Sequence, residues 1–465
     1  MSQDFLDLRR FYAACNPSKT LDLKNQEDRK YYIDFSSVRG GNIIRELSRT
    51  ITLLAGDDPT CQLFTGHIGC GKSTELLRLK DELEQKNFHV VYFESSQDLD
   101  MADVDISDIL LAIARQVSES LEKIRVDVQP QGFKALLKGA ADFLQTPIEL
   151  SGEAAIPGVG SISAGEGELG FSLPGGIGKI TAKAKDSPKL RSELRQYLEP
   201  RTNSILNAIN NELLGPATEQ LKRQGKQGLV VIVDNLDRVD SFLKPTGRTQ
   251  PEHLFVDRGE PLRKLNCHLV YTIPLALIFS NDLGRLTSRF GVKPKVLPLV
   301  PMRCRDSSDF DTGMSLLRQM VLSRAFPDVP AEQRIELISQ VFDSPETLDR
   351  VCRVSGGHVR NLLALLFSCL QQEDPPFSRA CVENVIKEYR DDLIAAITDE
   401  EWELLFQAVQ QQSVIGEEHY QMMLRSMFLF EYRDDIGRWY WINPALAEAE
   451  KFKSWQRQMQ ETSAG

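Results

Sequence analysis

The chain has 465 residues, of which 42% are apolar, as in ordinary globular proteins of two or three domains. Its formal net charge of −11 argues against non-specific binding of the whole molecule to nucleic acid or to anionic membranes, and leaves room only for a local basic surface. The chain has no apolar run near about 18 residues, no secretory signal pattern and no C-x-x-C pair among its eight cysteines, so we predict a cytoplasmic protein with free thiols and no membrane span.

The first predicted element that carries chemistry is a glycine-rich loop between a strand and a helix. Residues 63–74, LFTGHIGCGKST, fit the pattern G-x-x-x-x-G-K-[ST], with residues 61–65 as the strand and residues 73–85 as the helix. Glycine permits positive φ angles and a close approach of the backbone to phosphate oxygens, and the helix start adds its positive dipole end. We therefore predict a phosphate-binding loop, followed by a second strand at residues 89–95.

Two side chains of this loop are expected to act directly on a bound nucleotide. Lys72 is predicted to neutralise the β and γ phosphates, and Ser73 to offer its hydroxyl to Mg²⁺. His67 and Cys70 occupy variable positions and are interpreted as loop filler rather than as catalytic groups. The predicted nucleotide-binding residues of the loop are Gly66, His67, Ile68, Gly69, Cys70, Gly71, Lys72, Ser73 and Thr74.

A large insertion is predicted between this unit and the next strand, over residues 101–224. Residues 105–124 have the apolar spacing of a helix, and a longer helical pattern covers residues 188–223. Pro200 and Gly215 are expected to interrupt the longer pattern. These helices are expected to return the chain to the sheet.

The middle of the insertion is rich in glycine. Residues 152–178 hold nine of the 30 glycines of the chain, and apolar and polar residues alternate on both sides of Pro174. The alternation around Pro-Gly-Gly predicts a β-hairpin, with a flexible glycine-rich segment as the favoured alternative. The lysines on the polar face of the hairpin, a surface suited to DNA phosphate or to a protein partner, are Lys179, Lys183 and Lys185.

The next predicted strand ends in acidic residues. Residues 229–233 are five consecutive apolar residues, as in a central parallel strand, and Asp234 follows at the carboxyl end, where it is predicted to bind Mg²⁺. The following residue is Asn235, which cannot take a proton from an attacking water. Asp237 is the nearest acidic substitute, and hydrolysis is expected to be slow if its carboxylate does not reach the water.

The glycine loop and the motif VVIVDNLDRV resemble those of AAA+-type P-loop ATPases, close to the origin-recognition-like and STAND branches of that class. The resemblance covers about residues 25–100 and 225–450. It implies that CHLVYTIP forms the strand whose polar tip senses the γ-phosphate, here Thr272. It also implies that the segment DRKYYIDFSSVRGGNIIREL lies beside the adenine. The candidate adenine-side residues are Tyr32, Ile33 and Arg39.

The same resemblance implies two functional arginines. Arg289, in LTSRFGVKPKVLPLVP, matches an arginine finger that acts on the nucleotide of a neighbouring subunit, with Arg285 in reserve. Arg360, in VSGGHVRNLLALL, matches a sensor arginine at the start of a lid helix. The alternative for each is a surface charge in an ordinary ion pair.

The last third of the chain is predicted to form two further units. Residues 304–378 have helical patterns suited to the lid, and residues 379–465 are predicted to form a winged-helix-like domain. In that domain a capping-box pattern begins a helix at Thr398, and a hairpin turns at residues 434–437.

Charge argues against DNA binding by the C-terminal domain, because it has 16 acidic and eight basic residues from position 381 onward. Its aromatic hairpin is better suited to packing against a protein partner than against DNA, but at least half of its aromatic residues are expected to be buried in the domain's own core. The aromatic residues are Trp439, Tyr440 and Trp441.

The sequence thus predicts an α/β fold: a P-loop NTPase parallel sheet core from residues 1–100 and 225–303, with a helical lid and a C-terminal winged-helix domain. The predicted catalytic residues are Lys72, Asp234, Asp237, Thr272, Arg289 and Arg360, and the predicted metal ligands are Ser73 and Asp234. The predicted function is that of a regulatory ATPase that binds ATP with Mg²⁺, hydrolyses it and forms a homo-oligomer in the ATP state. A protein partner is expected to bind through the C-terminal domain or the insertion. The two alternatives are a DNA-loading ATPase and a non-hydrolysing nucleotide-dependent scaffold.

Overall fold

The computed structural model describes residues 5–54, 58–143, 173–306, 308–414 and 418–464. A five-stranded sheet lies at the centre, with neighbouring strands parallel in the order β2-β3-β4-β1-β5. The strands are β1 (Cys61–Gly66), β2 (His89–Glu94), β3 (Leu229–Asp234), β4 (His268–Thr272) and β5 (Lys295–Leu297). Because all five run in one direction, their carboxyl ends meet at the edge where open α/β sheets bind ligands. The predicted α/β parallel core is confirmed.

Alternate residues of the central strands enter two hydrophobic cores on opposite faces of the sheet. Leu63 and Val231 join one core, whereas Phe64 and Ile232 join the other. Strand β3 is buried over its whole length, as its unbroken apolar run predicts for a central parallel strand. Both faces are therefore covered, and only the strand ends are open to a ligand.

Helices surround the first three strands, and those between β2 and β3 share a core with one face of the sheet. The first five helices are α1 (Leu8–Ala14), α2 (Gln26–Arg29), α3 (Ile43–Arg49), α4 (Lys72–Gln85) and α5 (Ser95–Asp98). The next six are α6 (Ile106–Lys123), α7 (Gln131–Phe143), α8 (Leu173–Asp186), α9 (Pro188–Leu198), α10 (Thr202–Ala208) and α11 (Gly215–Arg223). A 3₁₀ turn contains Pro200 and a π-helical segment ends before Gly215, so both predicted interruptions are confirmed.

The predicted β-hairpin around Pro174 is wrong for the residues that the structure describes, because α8 covers them. Leu173, Ile177 and Ile180 lie one helical turn apart and are buried in the core shared with α6. Pro174 stands in the first turn, where the missing N–H costs no helical hydrogen bond. The arm before residue 173 and the side chains of Lys179 and Lys183 lie outside the described residues.

A second set of helices follows β3. Helices α12 (Glu260–Arg263) and α13 (Leu283–Phe290) flank the last two sheet strands. Helices α14 (Asp311–Ala325), α15 (Pro345–Val354) and α16 (Val359–Gln372) form a separate core with α1, which confirms the helices predicted for this region. Within the described ranges, no helix has the length and apolar character needed to span a bilayer.

The C-terminal region consists of helices and one antiparallel hairpin. Its elements are α17 (Arg379–Ala396), α18 (Asp399–Gln411), α19 (Glu418–Arg425), β6 (Leu429–Arg433), β7 (Arg438–Ile442), α20 (Pro444–Ala447) and α21 (Glu450–Ala464). Thr398 caps α18 reciprocally with Glu401, and β6 pairs with β7, so the capping box and the hairpin are confirmed. The winged-helix assignment stays a prediction.

Burial within the chain, the expectation for at least half of the hairpin aromatics, is found for two of the three. Trp439 and Tyr440 are 1% and 6% exposed because each enters a core of the chain itself. Trp439 packs in the core beneath β1 and α4, together with Phe430 and Tyr432 of the other hairpin strand. The hairpin is therefore bound to the nucleotide-loop side of the sheet rather than free at the surface.

Candidate nucleotide-binding site

Lys72, the first residue of α4, is drawn back into the glycine loop by three oxygen atoms. Its Nζ donates to the carbonyls of Gly66 and His67, each at 2.8 Å, and forms an ion pair with Asp237 at 2.9 Å. Burial lowers the pKa of Lys72, but the adjacent Asp237 carboxylate outweighs this and holds the pKa above its ordinary value. All three N–H donors of the ammonium group are thus in use, and a phosphate that binds Lys72 must displace at least one of these oxygens.

Ser73 and Asp234 bring a hydroxyl and a carboxylate together beside the loop. Asp234 is 1% exposed, accepts from the Tyr92 hydroxyl at 2.8 Å and hydrogen-bonds with Ser73. Burial, and then the charge of Asp237, raise the pKa of Asp234. This donor set fits a Mg²⁺ ion that takes its remaining ligands from phosphate and water. Among the described residues there is no separate group of three His, Cys, Asp or Glu side chains that could hold a metal.

Asn235 turns the chain so that Asp237 returns to the cleft. Its φ is +63°, in the left-handed region that Asn and Asp enter more readily than Glu. A 3₁₀ turn (Leu236–Arg238) follows, and it places Asp237 Oδ2 against Lys72. The second oxygen, Oδ1, is buried and has no hydrogen-bond partner in the described part of the chain. A carboxylate oxygen that can accept a proton is thus present despite the amide at position 235.

Two arginines line the phosphate side of the cleft, which Asp237 also borders. Arg360 and Arg238 border the same cavity as Lys72 and Ser73, and neither forms an ion pair with any described residue. Burial, and then the like charge of Arg238, lower the pKa of Arg360. Like charges held together in this way favour an anion between or beside them.

Gly69 brings the start of α16 directly onto the glycine loop. Its carbonyl accepts from the backbone N–H of Arg360 at 3.1 Å, and its φ is +90°. A Cβ at this position would lie 2.8 Å from both His358 and Arg360, so only glycine permits the approach. The contact links the predicted lid to the loop through main-chain atoms.

The three predicted adenine-side residues line a second cavity, adjacent to the phosphate cleft. Tyr32, Ile33 and Arg39 border it, and Gly71 and Thr74 border both cavities. Arg39 donates to the carbonyl of Cys70 at 2.9 Å, in the loop itself. Gly66, His67 and Ile68 border a third cavity, beside Asp237 and α19, and Ile68 also borders the phosphate cleft.

Thr272 and the predicted finger arginine lie elsewhere. Thr272 is fully buried at the end of β4, where its hydroxyl accepts from the backbone of Leu236 at 3.0 Å and so supports the turn that carries Asp237. Arg289 lies on α13 and pairs with Glu260 at 3.6 Å, and neither it nor Arg285 borders the cavities at the loop. Arg289 is therefore not part of the cleft of its own chain, and its action on a neighbouring subunit stays a prediction.

The C-terminal region contacts the glycine loop through His67. The N–H of Glu431 donates to His67 Nε2 at 3.1 Å, so the ring proton is on Nδ1. Nδ1 is buried near the backbone of Leu424 but has no hydrogen-bond partner among the described residues. The Phe430 ring stands edge-on to His67 at 6.0 Å and stacks on His358 at 6.1 Å. His67 is thus a bridge between the loop, β6 and α19, a role that its variable position did not indicate.

Several residues at the site were not singled out from the sequence, and three of them show what signal was present. Arg238 directly follows the DNLD motif, so its position in the sequence could have placed it near the cleft. His358 precedes a run of apolar residues at helical spacing, which is an N-cap position, and its Nδ1 accepts from Asn361. Tyr92 had no such signal, because its contact with Asp234 depends on the pairing of β2 with β3.

Replacing His358 with Asn is expected to flatten the pH dependence of stability. Burial lowers the pKa of His358 to about 3, so below its ordinary value only the unfolded state takes up this proton, and acidification destabilises the native state. Between about pH 7.5 and 5.5 the wild type should lose roughly 1.4 kcal/mol more than His358→Asn in chemical denaturation. Asn retains a side-chain oxygen for the N-cap.

Glu431 acts in the opposite direction, because burial raises its pKa to about 7. It is present in both proteins, so the difference between their pH profiles isolates His358. Equal profiles would show that the imidazole titrates normally in the folded chain.

Comparison with known proteins identifies the fold of the N-terminal half. Residues 41–243 match the family described as KAP family P-loop domain, and this stretch contains β1, the glycine loop and β3. No curated protein sequence matches the chain. The chain therefore carries a P-loop NTPase domain, as the loop and the acidic strand predicted.

Similar solved structures come from origin-recognition proteins. They include the Aeropyrum pernix ORC2 protein in ADPNP–ADP complexes, at 12% identity over 91% of this chain and 94% of that chain, with a TM-score of 0.38. The Aeropyrum pernix ORC1 protein in complex with DNA is 13% identical over 96% and 98%, with a TM-score of 0.35. Drosophila ORC bound to DNA is 11% identical over 97% and 91%, with a TM-score of 0.33.

Proposed function

We propose that the chain is a Mg²⁺-dependent ATP switch in which the nucleotide and the C-terminal hairpin act on the same loop. The observation that supports this proposal is that His67 accepts hydrogen bonds from both Lys72 and the C-terminal hairpin. Its carbonyl accepts from Lys72, the phosphate-binding lysine, and its ring accepts from the backbone of β6. Phosphate that draws Lys72 away removes one of these restraints, so ATP is expected to alter the position of His67 and loosen the hairpin.

Hydrolysis resets the switch and is slow. Asp237 supplies the free carboxylate oxygen, Ser73 and Asp234 hold Mg²⁺, and Arg360 and Arg238 stabilise charge on the phosphates. The amide of Asn235 occupies the position at which a carboxylate would activate water. Turnover therefore depends on a carboxylate that first has to release Lys72.

Self-assembly in the ATP state is part of the proposal, because Arg289 does not border the nucleotide cleft of its own chain and could act as a finger only on a neighbouring one. Mass photometry with ADP, with ATP and with a slowly hydrolysed analogue should show larger species only with the triphosphates. Arg289→Ala should remove these species or their ATPase activity, whereas Arg223→Ala, an exposed arginine on α11, should change neither. A protein partner recruited by the released C-terminal region or by the insertion would bind the trapped ATP state.

The switch is tested by hydrogen exchange of the β6 and β7 amides. With ATP and Mg²⁺ their exchange should rise relative to the nucleotide-free protein, and Phe430→Ala should produce the same rise without nucleotide, because it removes the ring that packs on His67 and His358. A matched control on the same hairpin is Ile436→Ala, at its 84% exposed tip, which should leave exchange unchanged. Protection that ATP does not alter would contradict a switch.

Single-turnover phosphate release separates this function from a scaffold that only binds nucleotide. The switch predicts slow release that requires Mg²⁺, whereas a scaffold releases none while binding ATP equally well. DNA loading predicts salt-sensitive DNA affinity, against which the acidic C-terminal region argues.

A further inference from the structure

The cavity on the base side of the cleft contains two buried arginines without acidic partners in the described part of the chain. Arg39 and Arg324 are 3% and 4% exposed, and both border this cavity. Arg324 lies near the end of α14 and donates through Nη1 to the carbonyls of Met320 and Tyr31. Among the residues that the structure describes, no carboxylate lies within ion-pair distance of either guanidinium, although the buried Glu75 borders the same cavity. Arg39 instead contacts the carbonyl of Cys70 and the ring of Phe35.

Each of these arginines also has one buried N–H group that finds no acceptor in the described ranges of the chain. The Nε atoms of Arg39 and Arg324 are buried and lack a hydrogen-bond partner among the described residues. Buried donors are almost always satisfied, so two unsatisfied donors at one cavity indicate a missing acceptor. A ligand that presents acceptors at its edge would supply it.

The shape and position of the cavity indicate what kind of ligand this is. Its walls carry the aromatic rings of Tyr31, Tyr32 and Phe35, which suit a flat ring. It shares Gly71 and Thr74 with the phosphate cleft. A group covalently attached to the phosphates would reach it, and a purine base has both the flat surface and ring nitrogens that accept hydrogen bonds.

We propose that Arg324 is the residue that reads the base, by donating its Nε–H to a ring nitrogen of a purine nucleotide. The inference rests on the proposed function, because it assumes a nucleotide in the cleft. Arg39 lies before α3, on the loop side, and Arg324 lies on α14, in the lid core. The base therefore joins the lid to the sheet, and Arg324 makes lid position depend on the base rather than on the phosphates alone.

The first test compares ATP with inorganic tripolyphosphate, which has no base, in binding to wild type and Arg324→Met. We expect the variant to bind ATP about 10- to 100-fold more weakly, the loss of one hydrogen bond from a charged donor. Tripolyphosphate should bind both proteins alike. Arg318→Met, which removes an arginine of α14 that is paired with Asp349, is the matched control and should bind ATP like wild type. Equal losses with both ligands, or no loss with ATP, would overturn the proposal.

The second test uses base analogues, and its first measurement is made on wild type, so that measurement does not depend on the folding of a variant. In 1-deaza-, 3-deaza- and 7-deaza-ATP, a carbon replaces one ring nitrogen at a time. One of the three should bind wild type about 10-fold or more weakly, and that analogue and ATP should bind Arg324→Met equally. Equal binding of all three analogues to wild type would contradict base reading by Arg324. If wild type bound neither ATP nor tripolyphosphate, the proposed function itself would fail.

Discussion

Replacing Lys72 with Met is expected to abolish ATP binding and to destabilise the fold at the same time. The ammonium group is the one that must meet the β and γ phosphates, so ATP should no longer raise the stability of the variant. In the wild type, ligand at 100 times its dissociation constant adds about 2.7 kcal/mol. The second effect arises because Lys72 is the buried counter-charge of Asp237. Loss of one partner of a buried pair costs about 3–5 kcal/mol.

A double variant separates these two effects. In Lys72→Met with Asp237→Asn, both charges are removed with side chains of similar size, and such replacement is often close to neutral. We therefore expect chemical denaturation to show most of the lost free energy of unfolding restored, while calorimetry still detects no ATP binding. If the double variant were as unstable as the single one, the ion pair would not be the source of the loss. ATP binding by Lys72→Met would reject the site.

The fold could be predicted from the sequence wherever a short sequence pattern determines the local structure. The glycine loop lies between β1 and α4 because strand, turn and helix signals follow each other within about 25 residues. The capping box at Thr398 and the β6–β7 turn are equally local. Helix α8 could not be predicted in this way, because its glycines indicate a turn. The segment is helical because Ile177 and Ile180 are buried against α6, which is a tertiary contact.

The candidate site could be predicted only in part for a related reason. Lys72, Ser73 and Asp234 lie in motifs, whereas the bridge from His67 to Glu431 joins residues 364 positions apart and leaves no pattern in either segment. Arg324 is an intermediate case, because the sequence contained one sign of it and the structure was needed for the rest. A charged residue among the buried positions Met320, Val321 and Leu322 of an apolar helix face was a visible anomaly. Its contact with a cavity beside the loop required the packing of α14 against the N-terminal segment.

Replacing Asp237 with Asn is expected to lower turnover without weakening ATP binding. Loss of a general base reduces the rate by about 100- to 10,000-fold, and Asp237 carries the free carboxylate oxygen beside the loop. The same carboxylate lies 2.9 Å from Lys72 Nζ and competes with phosphate for the ammonium group. Neutralising the carboxylate should therefore make ATP bind at least as tightly. A purely structural role for Asp237 would instead weaken binding and turnover together.

Single-turnover phosphate release and equilibrium ATP titration of the same protein therefore distinguish the two roles. Asp240→Asn is the matched control, because Asp240 is an exposed acid three residues further along, and its only ion pair with a described residue is with Arg425 at 3.9 Å. It should leave both measurements unchanged. If Asp237→Asn released phosphate at the wild-type rate, the proton would have to go elsewhere, and Asp237 would serve only to restrain Lys72. In the proposed switch, Asp237 both pairs with Lys72 and accepts the proton during hydrolysis. Turnover is slow because ATP has to compete with this carboxylate for Lys72 before the carboxylate can act as a base.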